Sequence, residues 1–327
     1  MGWKPKEKVL TSEEAIELAR RELAPFWIAS DPLLAGVRGA DGKATAHPLD
    51  HSFDKHAWLM LFADLTEFGG ENVLLCLREW ARRYGANDLR FLLVVRSAFS
   101  FLSSAKALKA SLRKAPDGCP VVLDHDRLLT EAFGGTQQAG PSVRLLSQRK
   151  VLFENSGLDW IKGAEAEIQR FLRIKDPGLP LELPFDPPAR LPHDSASTGF
   201  GSGSKSKGYK VSGKIVEEVD RILIKDAAAV VQISSLHPRV SIVAQSVMDT
   251  HEPSRMGVEL NGDTVFEAVT GADLTFGDDG GSVVRVSEGR LYHVLHSLPS
   301  KAREITLRFP DADRLPIALY VIRFSNQ

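Results

Sequence analysis

The sequence predicts an α/β domain followed by an all-β antiparallel sandwich, and three observations carry that reading. Up to about residue 175, short apolar runs alternate with helix-periodic segments, as expected of strands buried on both faces beneath helices. From about residue 209 onward the chain is a series of short strand-like runs punctuated by Gly, Asp and Pro, the pattern of an antiparallel sandwich. Between them Asp176 to Pro192 holds six prolines, and Ser195 to Lys207 is rich in Gly and Ser, a composition of extended and flexible connectors. The expected organisation is an N-terminal helical extension over 1–50, an α/β domain over 51–175, a linker over 176–208 and a sandwich over 209–327. Its length of 327 residues suits two domains at roughly 100–200 residues each.

In the first part, Thr11-Ser12-Glu13-Glu14 has capping-box spacing and leads into a helical pattern through Ile16, Leu18, Ala19 and Leu23. Trp58 to Ala63 reads as a buried strand. Glu71 to Tyr84 reads as a helix, with Val73, Cys76, Leu77, Trp80 and Tyr84 at three- and four-residue spacings. Phe91 to Val95 is a second buried strand, Ser104 to Lys114 a second helix, and Val121 to Leu123 a short strand ending at Asp124. Ser142 to Leu146 and Lys150 to Glu154 flank a hairpin turn, and Gly163 to Arg173 is an amphipathic closing helix. The order is β-α-β-α-β-β-α, with the first two strands parallel because a helix crosses between them.

In the second part, strands are expected over Arg221 to Lys225, Val240 to Val247, Gly257 to Leu260, Thr264 to Val269, Val283 to Val286, Leu291 to Leu295, Glu304 to Phe309 and Ile317 to Phe324. Ile305, Leu307 and Phe309 alternate with Glu304, Thr306 and Arg308, the mark of a half-buried strand. Asn261-Gly262 between two runs is a strong hairpin signal.

Composition excludes several classes. With 43% hydrophobic and 25% charged residues the chain is globular rather than disordered. Lys and Arg number 15 against 16 Asp and Glu in residues 201–327, leaving 26 against 26 before that. Neither part is basic, so neither nucleic acid nor a membrane surface is an expected partner. Two cysteines, Cys76 and Cys119, are too few for a disulfide-stapled secreted framework. With no signal-peptide core near Met1 and no span of roughly 20 apolar residues, a cytoplasmic protein is expected.

The ordered segments over about 50–173 resemble the thioredoxin-like family, in the branch of TlpA-type and AhpC/TSA-type redoxins. The strand Trp58 to Asp64, the turn Leu65-Thr66 and the tetrapeptide Glu67-Phe68-Gly69-Gly70 before the helix stand where that family carries Cys-x-x-Cys. Pro120 to Asp124 resembles its Pro-x-x-x-Asp strand end, Gly140-Pro141 its cis-proline segment, and Lys150 to Gly157 its last strand. Over about 195–326, Arg290 to Leu295, Glu304 to Phe309 and Ala318 to Phe324 resemble the carbohydrate-binding-module-like jelly roll of DipZ-type proteins, with Ser197 to Gly201 matching their connector. The membrane domain of DipZ-type proteins is not in this sequence. The implied architecture is a thioredoxin-like domain plus a jelly-roll sandwich.

Thiol-disulfide exchange needs a thiolate at a helix N-terminus and a second thiol to resolve the mixed disulfide. Glu67 and Gly70 occupy those positions and can do neither. Cys76 lies two turns into the helix on its apolar face and Cys119 in a Gly-Cys-Pro turn, so neither meets the requirement, and the layout of the resembled family implies that they are too far apart to pair. The leading expectation is a redox-inactive thioredoxin-like module that binds a protein or peptide at a cleft beside Glu67, Phe68 and Pro141 by strand addition. The alternatives are a thiol oxidoreductase or one-cysteine peroxidase using Cys119 or Cys76, and a ligand- or sugar-binding sandwich.

Metal-ligand chemistry has weak candidates only. His47, His51 and His56 fall with Asp50 and Asp54 in one polar loop, at no spacing typical of zinc. Asp273, Asp278 and Asp279 sit among glycines without EF-hand spacing. His293 and His296 are expected on opposite faces of a strand. A sugar platform would have to come from Tyr209, Tyr292 or Tyr320, since the second part has no tryptophan. No cofactor is expected, and no phosphate loop, dinucleotide fingerprint or serine-hydrolase motif is present.

Overall fold

A computed structural model describes residues 56–96, 99–103, 112, 119, 121–124, 130, 140–148, 150–156, 160–185, 196–200, 202, 208–248 and 250–326. The expected extension over 1–50, the helix over Ser104 to Lys114 (apart from Leu112), and His47 and His51 fall outside those residues. The chain forms two compact units. The first is Met1–Ala63, Leu75–Ser97 and Ala115–Asp186; the second is Asp64–Leu74, Ala98–Lys114 and Pro187–Gln327. Residues 64–74 and 98–114 thus group with the C-terminal part, whereas the sequence pattern places them within 51–175.

The first unit is built on β1 (Ala57–Ala63), β2 (Leu89–Val95), β3 (Val121–Leu123), β4 (Ser142–Ser147) and β5 (Lys150–Ser156). They form one sheet in the order β3-β2-β1-β4-β5. β1 pairs parallel to β2 and β2 parallel to β3, while β4 runs antiparallel to both β1 and β5. Every residue of β1 is buried, which explains its unbroken apolar sequence. At the other edge, β5 leaves Val151 and Leu152 exposed.

Helix α1 spans Phe68–Tyr84, with Glu71 in its first turn and Arg82 and Arg83 in its last, charges that suit the helix dipole. It begins three residues before the expected Glu71. Gly69 and Gly70 have poor helix propensity, but both are buried, and tertiary packing overrides propensity there. Helix α2 spans Trp160–Lys175. Within the first unit the indole of Trp80 meets that of Trp160 edge-on at 5.8 Å. Buried Glu165 accepts hydrogen bonds from Trp80 Nε1 at 3.0 Å and the Tyr84 hydroxyl at 2.6 Å, with Arg83 at 3.6 Å. Burial and the Glu165 bond push the Tyr84 phenol up to about 12.

The second unit carries β6 (Ala196–Gly199), β7 (Tyr209–Ser212), β8 (Ile215–Glu217), β9 (Ile222–Ile224), β10 (Val230–Ser235), β11 (Arg239–Ser246), β12 (Ser254–Leu260), β13 (Asp263–Thr264), β14 (Leu274–Phe276), β15 (Ser282–Val286), β16 (Arg290–Leu295), β17 (Arg303–Arg308) and β18 (Ile317–Ser325). One sheet runs β14-β15-β12-β17-β10-β7 with β13 on β12, and the other β16-β11-β18-β9-β8 with β6 on β18. Side chains from both sheets share one apolar core, among them Val231, Val258 and Leu307 from the first and Ile242, Tyr292 and Ile322 from the second.

Two expectations are corrected here. Ala196–Gly199, expected as connector, is strand β6, antiparallel to Val321–Phe324 of β18. Thr264 to Val269, expected as one strand, is a two-residue strand followed by a 3-10 turn over Glu267–Val269. Val265 N donates to Ser282 Oγ at 2.8 Å, which draws the chain out of the ladder. The Asn261-Gly262 hairpin is as expected, with φ of 54° and 86°, both in the left-handed region that this tight turn requires.

Candidate functional site

The candidate site is the start of α1, and its local fold begins with Asp64. The backbone N–H and the hydroxyl of Thr66 both donate to Asp64 Oδ1, at 2.8 and 2.6 Å. That Asx-type turn reverses the chain after β1. Glu67 N then donates to the Asp64 carbonyl and Gly70 N to the Glu67 carbonyl. Gly70 passes so close to the turn that a Cβ there would lie 2.2 Å from the Asp64 carbonyl oxygen. The position where the family resemblance puts a second thiol therefore has no room for a side chain of any kind.

Three neighbouring strands of the six-stranded sheet supply the other side of this site, within the same unit. Ser241 on β11 is the register partner of His293 on β16 and of Arg323 on β18, so the three side chains form one row. Arg323 Nη1 lies 3.6 Å from Glu67 Oε1 and its Nη2 4.0 Å from Asp64 Oδ2. His293 Nε2 lies 2.9 Å from Glu71 Oε2, and its Nδ1 lies 2.9 Å from Ser241 Oγ. With the proton on Nε2 the neutral ring donates to Glu71 and accepts from the Ser241 hydroxyl; when doubly protonated it donates to both. The ring also stacks on Phe68 at 5.7 Å.

Apolar packing closes the rest. Phe68 is 1% exposed and clusters with Phe101, Leu102, Leu223, Val243, Leu291, Ala318, Tyr320 and Val321. The cleft expected beside Phe68 is accordingly filled by the chain itself. Pro141 belongs to the first unit, where Arg96 donates to the carbonyl of Gly140. No described peptide bond is cis, so Pro141 does not reproduce the family's cis-proline.

Ser241, His293 and Glu71 make a hydrogen-bonded series that the sequence reading did not find. Ser241 is 1% exposed and lies on a strand paired on both sides. A nucleophile needs access, and this serine is covered. The series is a polar clamp on the helix start.

Both thiols belong to the first unit. Cys76 is fully buried; its burial and the nearby Glu165 charge hold its pKa far above the ordinary value. Cys119 retains part of its surface, while its Sγ lies 4.0 Å from the Phe91 carbonyl and burial pushes its pKa up to about 12.

Among the described residues the candidate metal ligands are dispersed. His56 hydrogen-bonds Asp88, which also pairs with Lys175 at 2.8 Å. Asp273 spends one oxygen on Arg290 and the other on the His293 N–H; burial pushes its pKa up, but the Arg290 bond and charge outweigh this and hold it below 3.8. Asp279 accepts from Gly281 N at 3.0 Å within a turn that Gly277 and Gly281 close by backbone bonding, and Asp278 is exposed. His296 contacts Ser297, not His293. Tyr209, Tyr292 and Tyr320 are all buried, which removes the expected sources of a sugar platform. Among the described residues no helix is long and apolar enough to cross a membrane.

No protein-family model and no curated protein matches the chain. Solved structures similar to it include a putative thioredoxin from Neisseria meningitidis, at 18% identity and TM-score 0.33 over 39% of this chain and 82% of that one. A putative thiol:disulfide interchange protein DsbE from Chlorobium tepidum aligns at 16% identity and TM-score 0.32, over 38% and 82%. A family two carbohydrate esterase from Cellvibrio japonicus aligns at 9% identity and TM-score 0.31, over 40% of this chain and 33% of the esterase, about a third of its length. The chain itself consists of a small α/β part and a large all-β part, in which the start of α1 is filled, ion-paired and free of thiols.

Proposed function

We propose that this protein is a redox-inactive thioredoxin-like module joined to a jelly-roll sandwich, acting by protein binding or scaffolding. One observation supports this above all: Glu67 and Gly70, not cysteines, stand at the helix start. Arg323 faces Glu67 at 3.6 Å, so the position that a redox thiolate would occupy holds a carboxylate with its own cation. Restoring chemistry would require more than two thiols, since Gly70 has no space for one.

The partner is expected to meet a surface other than Phe68, which the chain already covers. The purified full-length protein is expected not to accelerate the reduction of insulin disulfides by dithiothreitol. Turnover above the reagent alone, abolished by Cys76→Ser or Cys119→Ser, would establish the thiol-enzyme reading instead.

A further inference from the structure

Two large rings on the second unit stand in water. Phe266 is 71% exposed and Phe276 46%. They are neighbours through Ser282: Phe276 is its register partner, and its Oγ accepts from the N–H of Val265, the residue before Phe266. The turns that present them are held by backbone geometry. Asn261 and Gly262 have positive φ, and Gly277 N donates to the Gly281 carbonyl at 2.8 Å.

Along this stretch of chain the charge has one sign, while Arg255, Arg285 and Arg308 stand on the adjoining strands. From Met256 to Val284 the chain contains Glu259, Asp263, Glu267, Asp273, Asp278 and Asp279, and no Lys, Arg or His. Glu259 is paired with Arg308 and Asp273 with Arg290. Asp263, Glu267, Asp278 and Asp279 are all exposed, and no described residue forms an ion pair with them.

We propose that Phe266 and Phe276, with the carboxylates of Asp263, Glu267, Asp278 and Asp279, form a docking surface for a basic peptide segment of a partner protein that carries apolar anchors between its Arg or Lys residues. The rings supply the apolar contact and a face for a guanidinium. Four exposed carboxylates without an ion pair steer cationic segments inward and disfavour nucleic acid and anionic lipid. This surface uses none of the residues at the α1 start, so its failure leaves the redox-inactive reading untouched.

The test uses the full-length chain and a short fluorescein-labelled peptide alternating arginine and leucine, followed by anisotropy. Binding is expected at low ionic strength and should weaken as salt is added. Phe266→Ser with Phe276→Ser, and separately Asp278→Asn with Asp279→Asn, should each weaken it by about tenfold or more. All four side chains are exposed, so both variants should keep the parent's melting temperature. Failure of the parent to bind overturns the proposal, as does equal binding by folded variants. Equal affinity for a glutamate-leucine peptide, or full displacement by a neutral glucan oligosaccharide, would also overturn it by showing that charge does not select the ligand.

Discussion

Arg323 Nη1 lies 3.6 Å from Glu67 Oε1, with the two side chains only 11% and 20% exposed. This guanidinium also approaches Asp64, so one cation serves two carboxylates in a largely dry position. Removing it leaves like charges facing one another. Arg323→Met is expected to cost about 3–5 kcal/mol, the range for breaking a covered ion pair by deleting one partner. In a cycle with Glu67→Gln, urea denaturation should show a coupling of about 1–3 kcal/mol. Additive effects would mean that the two residues do not act together.

Gly70 predicts a reversal of sign. In an ordinary helix interior, replacing glycine by alanine stabilises by about 1 kcal/mol. Here the new Cβ would lie 2.2 Å from the Asp64 carbonyl oxygen and 2.9 Å from Leu65 Cα. Gly70→Ala should therefore destabilise by about 2 kcal/mol or more, seen as a lower urea midpoint. Glu67→Cys combined with Gly70→Cys should likewise lower the melting temperature. A variant as stable as the parent would show that the turn yields easily.

The thiols make a prediction about alkaline pH. Cys119 moves from its ordinary 9.0 to about 12 because burial penalises the thiolate, and Cys76 moves in the same direction. Alkylation by iodoacetamide at neutral pH should be slow in the native protein and rapid once guanidinium unfolds it. Because the folded pKa is raised, the stabilisation is complete below about 9 and is lost as pH climbs toward about 12. A native thiol that reacts rapidly at pH 7 would contradict this placement.

Glu165 predicts a local collapse in the first unit. Its carboxylate is shared by Trp80, Tyr84 and Arg83, so Glu165→Ala strands two buried donors, while Arg83 keeps Glu79 at 2.7 Å. The expected cost is about 3–5 kcal/mol. Two units need not unfold in a single transition, so tryptophan fluorescence, whose five indoles all belong to the first unit, is the appropriate local probe. An unchanged tryptophan transition would show that water replaces the carboxylate at little cost.

Much of this was legible in the sequence where a pattern had one physical cause. β1 and β2 were readable because burial on both faces demands continuous apolar residues, and the Asn261-Gly262 turn because few residues tolerate positive φ. β10 was missed although Val231 and Ile233 alternate properly, since Gln232 and the serines that end the strand mask its apolar character. Tyr209–Ser212 buries only Tyr209 among mostly exposed neighbours and gives almost no signal. The site was half legible. The absence of thiols at Glu67 and Gly70 could be read directly, but their cover could not. Glu71 and His293 are 222 residues apart, and a strand pattern states that His293 faces outward without stating what it faces.

The second unit is discontinuous along the chain, and that shapes how it can be made. Phe68 and its neighbours are synthesised long before β18, yet both belong to one apolar cluster. A nascent chain must carry that ring uncovered until the last strand emerges, which raises contact order and slows closure. A fragment limited to 187–327 would lack Phe68, Phe101 and Leu102, and would expose Leu223, Leu291 and Tyr320 as an adhesive face. Expression of the C-terminal part alone should give aggregates, and co-expression with the N-terminal part should rescue it.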